Sequence, residues 1–298
     1  MRTTAILIYC VALIFASCGS ETTKTPQTTT SGSTEIVVDE SLAPIVQDQW
    51  EVFSSTYPDA KIKFVYRPEN LLLNRFLNDS SRIAVMARDL KESELKMYEK
   101  RNVVVRQNKF AIDAIALISN NKTADSTIEV KQIVEILEGK NANKQLVFDN
   151  ANSSTVRYLK ELANVRALPD KGVYALKSNS EVIEHVHNNA GAIGVIGVNW
   201  IKRPDAGLEP LIENIKILAV KNLPGKSGSD SYYKPTQNNL ALGLYPLSRD
   251  LYIVNCQGGT GLGTGFAAFH ASERGQAIVL KAGLLPSKLP TREILIKK

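Results

Sequence analysis

What the sequence lacks narrows its chemistry. Only three cysteines occur in 298 residues, Cys10, Cys18 and Cys256, and they form neither a disulfide framework nor a metal-spaced cluster. Histidine is as scarce: His185 and His187 sit two apart, off one helical face, and His270 is isolated, so surface or core roles are the default. There is no Gly-x-Ser-x-Gly elbow, no His-Glu-x-x-His pair and no Walker loop. The glycine-rich run from Gly258 to Gly265 lacks the terminal Lys-Ser/Thr of a phosphate loop and does not fit Gly-x-Gly-x-x-Gly, so it reads as a turn into the last helix. These absences argue against an enzyme, and no cofactor or metal is expected. Neither charge sign dominates. The 36 basic residues face 30 acidic ones, the signs alternate along the chain, and the net charge of +6 suits a surface mildly attractive to anions rather than a nucleic-acid partner. No repeat of solenoid period is present.

The first residues are informative. Ala5 to Phe15 is an apolar run too short to span a bilayer but suited to a signal-peptide core. The small residues Ala16-Ser17 before Cys18 resemble the lipobox of bacterial lipoproteins, with Phe15 where leucine is usual. We therefore read residues 1–17 as a signal peptide and Cys18 as the lipidated mature N-terminus. Residues 18–33, rich in Thr and Ser, are read as a flexible tether, because they cannot bury enough apolar surface to offset their ordering entropy. The implied location is the cell envelope, with the protein exported and lipid-anchored to a bacterial membrane.

From Thr34 onward, short apolar runs alternate with helical patterns, the signature of βαβ units and a mainly parallel α/β sheet. Strands are expected at 35–38, 62–66, 82–87, 145–148, 192–198 and 215–220, and helices at 42–53, 71–77, 91–101, 130–137 and 155–162. The run from Phe110 to Ile118 reads as a strand long enough to cross between two lobes. Residues 223–238 read as an exposed loop, 265–281 as one final helix and 294–296 as a short closing strand. Such a layout fits a hinged protein with a cleft between facing strand ends.

Three strand-to-helix ends carry polar chemistry. Asp149-Asn150-Ala151-Asn152-Ser153-Ser154-Thr155 places three hydroxyls at a helix start, where free N–H groups and the dipole favour an anion. Ser41 stands at a second such end, before Pro44, and Ala87-Arg88-Asp89 follows a buried strand. Each has a plainer reading. Ser41, Ser153 or Ser154 can serve as an N-cap, which local chemistry alone favours, and Arg88-Asp89 can be a surface ion pair.

The order of these segments resembles the phosphate-binding proteins of high-affinity phosphate ABC importers. Further matches are Phe110 to Ala116, Ile136 to Lys140, Gly191 to Val195, Tyr245-Pro246-Leu247-Ser248-Arg249-Asp250-Leu251-Tyr252, Gly275-Gln276 and Gly283-Leu284-Leu285-Pro286. The resemblance covers nearly everything after the tether. It implies a two-lobe periplasmic-binding-protein-like fold of type II, with lobe one at 34–113 and 245–298 and lobe two at 114–244. It also implies capture of inorganic phosphate or a similar oxyanion, delivery to an ABC permease, and a monomer.

Ser41 with the Leu42 N–H, the Ala87–Arg88 loop and Ser153, Ser154 and Thr155 would contact the anion. Three positions depart from the family: Ser154 replaces a Gly, Asp149 an Arg and Ala87 a Ser. The displaced positive charge could come from Arg88 or Arg157; alternatively, Asp149 is the acceptor that favours protonated phosphate. The other readings are a binding module for another oxyanion or small ligand in sensing, and a secreted hydrolase.

Overall fold

The computed structural model describes residues 27–141 and 143–289. The proposed signal peptide, Cys18 and the strand expected at 294–296 lie outside the described residues.

Two β-α units open the fold. Strand β1 (Gly32–Asp39) lies parallel between β2 (Ala60–Arg67) and β3 (Ile83–Met86), and helices α1 (Ala43–Thr56) and α2 (Glu69–Leu77) carry the chain from strand to strand. Parallel strands need such crossovers. Helix α3 (Glu92–Glu99) follows β3. Both faces of this sheet are covered, so Ile36-Val37-Val38 is apolar without alternation. The pleat still divides it: Ile36 and Val38 enter the main core with Phe53, while Val37 joins a second cluster with Leu72, Phe76 and Tyr98. On α1, Trp50 and Phe53 meet Phe266 edge-on, with ring centroids 6.3 and 5.3 Å away. β1 begins at Gly32, two residues inside the stretch read as tether, because Gly32 and Ser33 already pair with Ala60 and Lys61.

Strand β4 (Arg106–Asn120) is the axis of the molecule. Its first part pairs antiparallel with β11 (Ser248–Asn255), and its last part with β8 (Ala192–Gly197) and β9 (Ile215–Ile217). Beyond β8 lie β6 (Gln145–Phe148) and β7 (Val173–Ala175), both parallel to it or to each other, giving the order β2-β1-β3-β11-β4-β8-β6-β7. Helices α4 (Val130–Leu137), α5 (Ser154–Ala163) and α6 (Asn179–Asn188) belong to this second half. A Cβ on Gly194 would lie within 3 Å of Ile118, Val182 and Val186, so glycine there lets α6 approach the sheet closely. A two-stranded ribbon joins β5 (Thr127–Glu129) to β10 (Ala219–Lys221).

Two elements differ from expectation. The strand at 215–220 is two short ones: β9 pairs with β4 and β10 with β5, with Leu218 between them. The last helix is also two, α10 (Leu262–Ala271) and α11 (Glu273–Lys281). Ser272 between them is extended (φ −73°, ψ 161°) and caps α11 by accepting the Gly275 N–H. Short helices α7 (Asn199–Lys202), α8 (Glu209–Ile212) and α9 (Gln237–Ala241) connect the second half, and β12 (Leu285–Pro286) returns to β4. The result is the two-part α/β architecture that the alternation of patterns implied.

Candidate functional site

The carboxyl ends of β1 and β6 meet beside the point where β4 passes from one half to the other. At the end of β1, Asp39 Oδ1 accepts the Ser41 N–H at 3.0 Å and so shapes a single 3-10 turn, Glu40–Leu42, that presents the Ser41 hydroxyl. At the end of β6, a turn through Asp149 leads into α5. Ser153 is its N-cap, accepting the Val156 N–H at 3.3 Å. The capping role therefore falls to Ser153 and leaves the next hydroxyl for other work: Ser154 Oγ lies 3.1 Å from Ser41 Oγ. The first-turn N–H groups of Ser154 and Thr155 have no helical acceptor, as at any α-helix start.

The cation at these hydroxyls comes from β11. Arg249 stands in register with Asp113 of β4 and donates to its Oδ2 through Nε at 3.0 Å and Nη2 at 2.8 Å. Its Nη1 donates to Ser154 Oγ at 2.8 Å and its Nη2 to Ser41 Oγ at 3.1 Å. One guanidinium thus ties β4, the end of β1 and the start of α5 together. Arg249 is 5% exposed, and Ser41, Asp113 and Ser154 are fully buried. Behind Ser41, its carbonyl accepts from Trp200 Nε1 at 3.0 Å and Asn199 Nδ2 at 3.4 Å. Gly197 keeps this corner open, since a Cβ there would sit 2.6 Å from Asn199 Oδ1 and 3.3 Å from the Ser41 carbonyl.

The carboxylates around Arg249 differ in what they have left to accept. Asp149 is fully engaged: Thr155 Oγ1 donates to Oδ1 at 2.7 Å and Asn179 Nδ2 to Oδ2 at 3.3 Å. Ser153 and Thr155 share a further hydroxyl contact of 2.8 Å. Asp39 Oδ2 and Asp113 Oδ1, in contrast, are buried and accept no well-formed hydrogen bond. Burial pushes the Asp39 and Asp149 carboxyls above the usual range, an effect that Arg249 partly offsets at both.

The two arginines suggested by sequence lie elsewhere. Arg157 donates to Glu69 through Nε and, at 3.1 Å, through Nη2, and also to Glu161 at 2.8 Å. Arg88 donates to Glu94 at 2.9 and 2.7 Å and has Nε 3.8 Å from Glu69. Ala87 is buried, and its carbonyl receives Arg157 Nη2 at 3.4 Å. The Leu42 side chain belongs to the main core, so only its backbone can serve a ligand. Ser41, Ser154 and the Asp149–Thr155 turn thus come together, and Arg88 and Arg157 gather at Glu69. Sequence reasoning did not single out Arg249, Asp113, Asp39 or Glu69. The available signal was a lone carboxylate inside the apolar run 110–118. A cleft of ≈ 560 Å³, lined by Asn70, Ser153, Arg157 and Lys160 among others, opens beside the start of α5. Chemically, the site combines hydroxyl and guanidinium donors with spare carboxylate acceptors, a set suited to a small oxyanion that still carries a proton.

Known proteins resemble this chain in sequence and in fold. A family model described as a PBP superfamily domain matches residues 23–274. The phosphate-binding protein PstS of Borreliella burgdorferi is 26% identical over 266 residues, covering 83% of this chain and 88% of that protein. PstS of Pseudomonas aeruginosa is 23% identical over 296 residues, covering 90% and 87%. Among solved structures, a candidate phosphate ABC transporter substrate-binding protein from Clostridium perfringens, with bound phosphate, superposes with a TM-score of 0.71 at 22% identity, covering 86% of this chain and 100% of that one. An ABC-type phosphate transport receptor from Vibrio cholerae gives 0.63 at 20% identity, with the same coverage. The structural likenesses establish the periplasmic-binding-protein-like fold.

Proposed function

The chain belongs to the PBP superfamily, and on that premise we propose that it is an exported solute-binding protein that captures inorganic phosphate between its two halves and passes it to an ABC permease. The observation that carries this reading is the convergence of Ser41, Ser154 and Arg249 from three separate elements on one buried point. A buried oxyanion needs several donors, because an unpaired buried charge is very costly. Ser41, Ser154, Arg249 and the free N–H groups at the start of α5 supply them, with the Leu42 N–H beside them. Asp113 positions Arg249. Asp39 Oδ2 is the acceptor for a protonated phosphate oxygen and repels fully ionised sulfate. Asp149, with both oxygens engaged, orders the Ser153–Thr155 turn.

In this reading the lobes are residues 34–113 with 245–298, and 114–244, and they hinge where β4 and the chain entering β11 cross. The protein works as a monomer, without enzymatic chemistry, tethered through lipid on Cys18. Calorimetric titration of the anion-stripped protein with phosphate and then sulfate at pH 7 tests the reading. Phosphate should bind at least about 100-fold tighter than sulfate, a difference of about 2.7 kcal/mol. A protein silent to phosphate would overturn the assignment and favour another small ligand.

A further inference from the structure

Glu69 draws both of the arginines that the sequence offered to an anion. It opens α2 in the first half, and its side chain is fully buried. Arg157 reaches it from α5 of the second half through Nε and Nη2, while Arg88 of its own half lies 3.8 Å away. Next to this pair the Asn70 N–H donates to the Asn152 carbonyl at 3.1 Å, and Asn70 Nδ2 reaches Asn152 Oδ1 at 3.4 Å, again from half to half. None of these contacts uses the side chains of Ser41, Ser154 or Arg249.

We propose that Glu69 is a positioning residue that sets the rate of anion exchange: with Arg157 and the Asn70–Asn152 contact it forms a clasp that draws the two halves together whether or not an anion lies between them. The proposal rests on the two-lobe binding reading above. The clasp is built to reopen. Arg157 keeps Glu161 of its own half at 2.8 Å, Arg88 keeps Glu94 of its own half at 2.7 Å, and Glu69 keeps Arg88. Parting the halves therefore breaks the Glu69–Arg157 bonds but strands no charge alone, which is the outcome that makes buried pairs so costly to break. A second ion pair, Asp48–Arg203 at 3.0 and 3.1 Å, also crosses the halves, but Arg203 is half exposed and water can replace the bond.

A clasp of this kind has a kinetic signature. An anion enters only when the halves are apart, so its on-rate scales with the open fraction. Weakening the clasp should speed both entry and escape, whereas losing an ordinary ligand contact speeds escape alone. Trp200 reports the state directly, because its Nε1 donates to the Ser41 carbonyl from the other half and the residue is only 8% exposed.

The test uses the full chain with Trp50→Phe, leaving Trp200 as the only other tryptophan. Without phosphate, Glu69→Gln should shift Trp200 emission to the red and raise its quenching by acrylamide. In stopped flow with inorganic phosphate, on- and off-rates should both rise about tenfold, the factor that corresponds to 1.4 kcal/mol. Asp48→Asn should change each rate less than about twofold, as suits an exposed pair. If Glu69→Gln does not fold, Arg157→Gln serves instead, since Glu69 then retains Arg88. Unchanged Trp200 emission, or a faster off-rate with an unchanged on-rate, would overturn the clasp. The emission measurement needs no phosphate, so failure of the phosphate assignment would show separately, as absent binding.

Discussion

Arg249→Met is the substitution whose consequences the structure specifies most fully. It removes four hydrogen bonds and leaves Asp113, fully buried, with no cation. Removing one partner of a buried ion pair costs about 3–5 kcal/mol. Protonation sets a ceiling, because the stranded carboxyl can take up a proton instead of staying charged. From an unfolded value near 3.9 that escape costs about 4 kcal/mol at pH 7 and only about 1.5 kcal/mol at pH 5. The stranded carboxyl has a raised folded pKa, so stability is retained at low pH and lost as pH rises. Urea unfolding should therefore show Arg249→Met about 3–4 kcal/mol less stable at pH 7 and about 1.5 kcal/mol less stable at pH 5. Adding Asp113→Asn should recover most of this loss, since the pair is then neutral, while phosphate affinity stays down by at least about 100-fold. A loss below about 1 kcal/mol at pH 7, a loss independent of pH, or phosphate affinity within about threefold of the parent would refute the reasoning.

His270 is buried, its Nδ1 lies 2.9 Å from the Phe266 carbonyl, and burial lowers its pKa to about 4. A base depressed from near 6.5 contributes stability that is complete above that value and is lost as pH falls toward 4, in all about 3 kcal/mol. The drop in urea midpoint between pH 7 and pH 5 should be smaller in His270→Gln than in the parent, and equal drops would remove the histidine from the explanation. Gly197→Ala places a methyl 2.6 Å from Asn199 Oδ1 and 3.3 Å from the Ser41 carbonyl and Asp113 Oδ2. It should cost about 1–3 kcal/mol of stability by overpacking and weaken phosphate binding about tenfold through displacement of Ser41. Unaltered affinity on calorimetry would show that this corner does not set the site.

The legible parts of this protein were the local ones. β1, β2, β3 and β6 announce themselves as apolar runs bounded by helical periodicity, and β4 by its length. Ser41 and Ser154 could be found because a hydroxyl where a strand turns into a helix is a signal contained within a few residues. The break at Ser272 was hidden because apolar residues continue on both sides of it, with Phe269 and Val279 both buried. The division of labour between Ser153 and Ser154 was equally hidden, since either can cap and only the geometry assigns the cap to Ser153.

Charge neutralisation is where local reading stops. A carboxylate within the apolar run Phe110–Ile118 cannot stay buried and ionised without an opposite charge, so Asp113 alone implies a buried cation. It does not say which of 36 basic residues supplies it. Arg249 is 136 positions away and meets Asp113 only through the antiparallel register of β11 on β4, and a one-residue slip would turn it to the opposite face. The same reasoning covers Arg88 and Arg157. Both lie close in sequence to loops that reach the cleft, yet Glu69, brought in by α2, holds their charge. Local motifs thus locate the hydroxyl donors of the proposed anion site, while the cation that would complete it is fixed by strand register.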